Sequence, residues 1–245
     1  MNQICISRLT HTIKQPCKGI VHSVFSQAVN VALEDIEGQK LLTLVSSLTP
    51  ALPDSLCIPD FLLKEFRVRD KVLLDCNTLI VYGKTFPVMQ DSQWDGRIKP
   101  KSDIPDLTLF LKISSCLTSG FDRLPIAIRN KADVALQAGD YKPYLGLGCG
   151  LTPSFDDASI GAMAVCYLRG EPVPHISDLS MTTDVSARYL RLAMKGYFSQ
   201  PILDVIDALY MPKRLIQSMR ALQAIGATSG SDTIYGMRKR IKNEL

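Results

Sequence analysis

The apolar residues of this chain change their spacing part-way along, which limits the fold to a strand-rich region followed by a helical one. From about residue 20 to 85 the spacing is close to two. Val29, Val31 and Leu33 alternate with other residues, and Leu41 to Val45 resumes an apolar run after a turn at Glu37-Gly38. Such alternation puts apolar side chains on one face of a strand. Pro50, Pro53 and Pro59 then punctuate the chain, and a hairpin-like pair, Val72 to Leu74 and Leu79 to Tyr82, flanks Asp75-Cys76-Asn77. Short strands between turn residues predict a small β-barrel or sandwich over residues 1–90. The polar stretch QDSQWDGRIKPKSD, which holds Gly and Pro, reads as a linker, placed at residues 91–103.

Over residues 104–245 the spacing becomes about 3.6, the period of a helix face. Leu107, Phe110, Leu111, Ser114 and Leu117 share one face; Val185, Tyr189, Leu192 and Gly196 share another. Ile202, Val205, Ile206 and Leu209 make a third, and Leu215, Met219, Leu222 and Ile225 a fourth. Stripes of this kind are how helical domains bury surface, so they read as core and not as a cofactor box. The expected class is α+β: a β-rich N-terminal domain and a mainly helical C-terminal one.

Bulk properties exclude several classes. A formal charge of +4 over 245 residues, spread along the chain apart from the basic MRKRIK at 237–242, does not call for nucleic acid or a membrane. The start has no apolar signal region and no run approaches a membrane span, so a soluble cytoplasmic protein is expected. Seven cysteines with no Cys-x-x-Cys pair suit reduced, mostly buried thiols. His11, His22 and His175 form no helical pair, which disfavours a histidine metal site or a hydrolase triad.

The most distinctive stretch is GLGCGLTPSFDD, residues 146–157. Gly146, Gly148 and Gly150 fit neither a P-loop nor a dinucleotide fingerprint. Locally, Thr152 suits a helix N-cap, Pro153 the first helical position, and Asp156 and Asp157 the first turn of a helix running to about Arg169 before Gly170. Ala158, Gly161, Ala162 and Val165 give that helix a small-residue face against which another backbone can pack. The plain reading is a capped buried helix whose aspartates complement its dipole. The functional one is an anion held by backbone N–H groups, with an aspartate taking an amide hydrogen or a metal such as Mg2+.

A second stretch tips the balance. Gly150-Leu-Thr152-Pro-Ser154-Phe-Asp156 and Gly226-Ala-Thr228-Ser229-Gly230-Ser231-Asp232 share the form G-x-T-x-x-x-D, each running into a helix with an early glycine, Gly161 or Gly236. Two such helix starts can face one ligand. Gly146, Gly148, Gly150, Thr152, Ser154, Thr228, Ser229, Gly230 and Ser231 are then the ligand-binding candidates. Asp156, Asp157 and Asp232 are the catalytic candidates, or the Mg2+ ligands.

LGLGCGLTPSFDD, then TTDVSARYLRLAMKGYFSQPILDVIDAL, then AIGATSGSDTIYGM resemble, in order, the family typified by the AllH subunit of bacterial oxamate carbamoyltransferase. That family's pattern is close to G-L-G-x-G-L-T-P-S-G-D-D with a later T-S-G-T-D, and SVFSQAVNVALE and LLTLV are similar to its N-terminal part. The resemblance implies a subunit of a multi-subunit enzyme of allantoin and purine nitrogen catabolism, in which oxalurate and phosphate give oxamate and carbamoyl phosphate. Partner subunits and a small anionic substrate or phosphate are implied with it. One letter departs from the pattern: Phe155 replaces the glycine before the paired aspartates. In ordinary helical geometry Phe155 leaves the site intact; at positive φ it would be strained. A non-catalytic module that binds or senses a small anion is the alternative from a different class.

Overall fold

The computed structural model describes residues 6–8, 16–34, 40–75, 77–90, 94–99, 101, 103 and 105–242. The Glu37-Gly38 turn, Cys5, His11 and Cys76 lie outside the described residues. The chain divides into two compact units, residues 1–96 and 97–245.

Of the barrel and the sandwich, the first unit is the barrel. Its strands are β1 (Ile6–Arg8), β2 (Cys17–Val24), β3 (Ala28–Leu33), β4 (Lys40–Ser46), β5 (Ser55–Ile58), β6 (Lys71–Leu74), β7 (Thr78–Val81) and β8 (Lys84–Gln90). They close in the order β1-β5-β4-β3-β2-β6-β7-β8. Neighbours are antiparallel except β4 with β5 and β1 with β8. Closure pairs every strand on both sides and so removes the edges on which open sheets aggregate. The predicted alternation fills the interior: Val29, Val31, Leu33, Leu42, Leu44, Leu74 and Leu79 are buried, with Leu62, Leu63 and Phe66 from and just after α1 (Asp60–Leu63) joining them. Each such side chain contributes about 1.5–3 kcal/mol on full burial. Polar Asn30, buried on the face opposite Val29 and Val31, is satisfied, accepting from Thr43 Oγ1 at 2.9 Å and donating to Ser23 Oγ at 3.0 Å. One boundary moves. Tyr82 is not in the strand but, at φ 53°, shares with Gly83, φ 70°, a two-residue hairpin turn that needs positive φ at both positions.

The second unit holds α2 (Thr108–Ser115), α3 (Ile126–Ala138), α4 (Ser154–Arg169), α5 (Asp184–Met194), α6 (Gln200–Ala208), α7 (Pro212–Gln223) and α8 (Ser229–Ile241). Every residue of α4 from Ser154 to Cys166 is buried, so this helix is the centre of the unit. It ends as predicted, at Gly170 with φ 66°. Its most extensive partner is α8. The small-residue face explains why: a Cβ on Gly161 would collide with the Thr233 carbonyl, and one on Gly236 with the Ala158 carbonyl. The two backbones touch where each helix carries its early glycine.

α6 and α7 bury the predicted stripes as far as Ile206 and Leu222; Leu209 is buried just past α6, while Ile225, past α7, is half-buried. α5 does not: it buries Val185, Ser186, Ala187, Arg188, Leu190 and Ala193, leaving Tyr189 and Leu192 half-buried. The polar Ser186 turns inward because it hydrogen-bonds a buried aspartate, described below. Gly196 lies past the helix, at φ 84°. The basic segment 237–242 faces the protein. Arg238 donates to the Ser114 carbonyl at 2.7 Å, Lys239 pairs with Asp133, and Arg240 pairs with Glu171. The cysteines are less buried than expected: among the described residues Cys166 is buried, Cys17 and Cys57 are half-buried, and Cys116 and Cys149 are exposed, all as free thiols. Among the described residues no helix is long and apolar enough to cross a membrane.

Candidate functional site

Gly146, Gly148 and Gly150 all have positive φ, at 77°, 126° and 91°. The alternating glycines therefore build a backbone path that L side chains rarely follow. Space also demands the first two: a Cβ on Gly146 would collide with the Met181 carbonyl, and one on Gly148 would stand 2.5 Å from the Ser154 nitrogen. Gly150 faces open space. Gly148, Cys149 and Gly150 are exposed, and among the described residues none accepts a hydrogen bond from their N–H groups.

The loop ends in α4 through Pro153, not Thr152. Pro153 is extended (φ −56°, ψ 146°) and its carbonyl accepts from the N–H groups of Asp156 and Asp157 at 3.0 and 3.1 Å. Phe155 N–H donates to the Leu147 carbonyl at 3.0 Å, which ties loop to helix. Because Pro153 occupies the cap position, the Thr152 hydroxyl is released and instead lies 2.8 Å from Ser229 Oγ at the start of α8. The two G-x-T-x-x-x-D segments thus meet side chain to side chain. Gly230 serves packing: its N–H goes to the Ile225 carbonyl at 3.1 Å, and a Cβ there would collide with the Leu222 carbonyl. Thr228, Ser229 and Ser231 are half-buried around the same helix start.

The three aspartates divide into two kinds. Asp156 is wholly buried and fully engaged, accepting from Gly146 N–H at 2.9 Å, from Ser186 Oγ at 2.7 Å and from Thr182 Oγ1. Thr183 adds a second tie, its hydroxyl donating to the Leu151 carbonyl. Asp156 therefore fastens the glycine loop to the start of α5. Asp157 and Asp232 are 6% and 0% exposed, and Oδ2 of each has no hydrogen-bond partner. Burial pushes the Asp157 carboxyl well above the ordinary aspartate value. The Ser229 and Thr152 hydroxyls pull it down, and the negative charges of Asp232 and Asp156 push it up. Burial also raises Asp232, against the Ser154 and Thr228 hydroxyls and the Gly120 N–H. Among the described residues, no three His, Cys, Asp or Glu side chains cluster as a metal ion would require, so the three aspartates do not form a common ligand set.

A third segment completes the site and was not read from sequence. The 3-10 turn Gly120–Arg123 brings Gly120 N–H to Asp232 Oδ1 at 2.6 Å. Only glycine fits, since a Cβ would stand 2.8 Å from Asp232 Oδ2 and collide with Ser154 Oγ. The signal was available: Thr118-Ser-Gly-Phe-Asp122 nearly repeats Thr228-Ser-Gly-Ser-Asp232, and Thr152-Pro-Ser-Phe-Asp156 shares its ends.

Phe155 is wholly buried, in helical geometry, and absent from the positive-φ positions. Its ring packs with Tyr144, Tyr141 and Phe121 at centroid distances of 5.4, 6.3 and 6.4 Å. It is a core residue beneath the site.

Two family descriptions match this sequence: the AllH family N-terminal domain over residues 2–92, and oxamate carbamoyltransferase subunit AllH over residues 144–241. The chain belongs to the AllH family. The AllH match at 144–241 runs from just before the glycine loop to the end of α8, so it takes in both helix starts. Thr118 to Asp122 falls outside both AllH matches. A family described as a subunit implies other subunits of a complex. No solved structure matches the chain.

Proposed function

We propose that this chain is the AllH-type subunit of a carbamoyltransferase complex in allantoin and purine nitrogen catabolism. In that complex oxalurate and phosphate yield oxamate and carbamoyl phosphate, and the reacting groups sit between the glycine loop and the starts of α4 and α8. The observation that carries this reading is that Asp157 and Asp232 each keep a buried, unpartnered Oδ2 at the starts of α4 and α8, which the Thr152–Ser229 contact joins. Buried carboxyl oxygens without partners are costly and mark places where a ligand supplies the missing donor. A phosphate oxygen attacks the ureido carbonyl, the carbon–nitrogen bond to the oxamate nitrogen breaks, and that nitrogen takes the proton phosphate gives up. Such a step needs donors around phosphate and the developing oxyanion, and acceptors for the carbamoyl hydrogens. The N–H groups of Gly148, Cys149 and Gly150 fill the first role; Asp157 and Asp232 fill the second. Asp156 works through the loop as a positioning residue.

Co-purification with partner subunits, followed by an assay of carbamoyl phosphate formed from oxalurate and phosphate with and without Mg2+, tests this. Asp157→Ala and Asp232→Ala are expected to lower turnover by about a hundredfold or more, the scale of losing one preorganised group. Normal turnover in both variants contradicts it.

A further inference from the structure

The setting of Asp157 and Asp232 bears on which ligands the site selects as well as on the reaction. Each ends in an Oδ2 with no partner, each side chain is more than nine-tenths buried, and the two come from different helices whose starts are joined by the Thr152–Ser229 contact. Asp232 is fixed by the Gly120 N–H at its other oxygen, and hydroxyls of Thr152, Ser154, Thr228 and Ser229 surround the pair. Where the carboxyl groups are ionised, each Oδ2 is an acceptor. A ligand with a primary amide brings two N–H hydrogens to such a place, whereas a methyl group of the same size brings none.

We propose that Asp157 and Asp232 are specificity-determining residues that select a primary amide over its methyl isostere, taking the two amide hydrogens on their Oδ2 oxygens. The proposal rests on the reading that a carbamoyl group is handled between these helix starts, and it adds which feature of that group is recognised. A site built to hydrogen-bond an N–H rejects the analogue lacking it, because its own polar atoms are then left buried and unpaired. Phosphate recognition at the glycine loop would not discriminate in this way, since both kinds of ligand carry the same anion.

The test is a binding series on the full-length chain, alone and with co-purified partners. Carbamoyl phosphate is compared with acetyl phosphate, and oxalurate with N-acetyloxamate; within each pair the carbamoyl NH2 is exchanged for CH3. The amide member is expected to bind about tenfold or more tightly, the scale of one unsatisfied buried group. Asp157→Leu and Asp232→Leu should each bring the ratio toward one. The ligand series on the unaltered chain decides the matter even where a variant folds poorly. Equal affinity within both pairs overturns the proposal, leaving the oxygens to water. Binding of inorganic phosphate with no preference for the amide overturns it as well. Amide preference without carbamoyl phosphate formation in the assembled complex sinks the proposed reaction and leaves this selection standing; turnover without amide preference does the reverse.

Discussion

Asp156 and Asp157 are adjacent in sequence and opposite in situation. Asp156 has a donor from the loop and two from the α5 region, while Asp157 keeps one oxygen buried and unpaired. Their substitution should therefore change stability with opposite sign. Asp156→Ala loses three hydrogen bonds to a charged group and is expected to cost more than about 3 kcal/mol. Asp157→Asn removes a carboxyl whose ionised form burial disfavours and is expected to stabilise the unliganded protein at neutral pH by about 1–3 kcal/mol. The pH dependence follows from direction. The folded Asp157 and Asp232 carboxyls hold their protons to higher pH than in the unfolded chain. Their contribution is therefore most favourable below the unfolded aspartate value and declines as pH rises through their raised values. Thermal melts of wild type and Asp157→Asn from pH 4 to pH 8 check this, with the variant's advantage growing as pH rises. Phe155 makes the complementary point: a departure from the family pattern that looks disruptive as a letter is, in a helix with its ring among aromatics, a packing residue.

At the scale of elements, the site depends on how closely α4 and α8 cross. Gly161 and Gly236 each face a carbonyl of the other helix, so Gly236→Ala pushes the helices apart and displaces Ser229 and Asp232 from Thr152. It is expected to lower stability by about 1–3 kcal/mol, as overpacking does, and to weaken carbamoyl phosphate binding in a titration. A variant that keeps both would show that the crossing is not what sets the site. Much of this crossing was legible: the glycine pair, the small-residue face of α4 and the Gly170 terminator are local signals with local causes. What escaped depended on tertiary partners. Thr152 reads as a cap until Pro153 takes the place and α8 supplies Ser229. The α5 stripe reads from Val185 through Tyr189 until Asp156 draws Ser186 inward. α3 escaped because its apolar residues are split between faces, with Ile126, Ile128 and Val134 exposed and only Ala132, Ala135 and Leu136 buried. The Thr118 to Asp122 segment escaped because its partner, Asp232, is 112 residues away in sequence.

At the scale of the whole molecule, the change of apolar period anticipates two units with separate cores, a closed barrel and a helical unit built around α4. All the candidate site residues fall in the second, at one end of its central helix pair. The central claim is that the starts of α4 and α8 form one ligand site in which two buried carboxyl oxygens await hydrogen donors. A crystal structure with carbamoyl phosphate bound tests it most directly. Carbamoyl phosphate is expected with its amide nitrogen within hydrogen-bond reach of Asp157 Oδ2 and Asp232 Oδ2, and its phosphate against the N–H groups of Gly148 to Gly150. Carbamoyl phosphate bound elsewhere, with only water on those two oxygens, would contradict it.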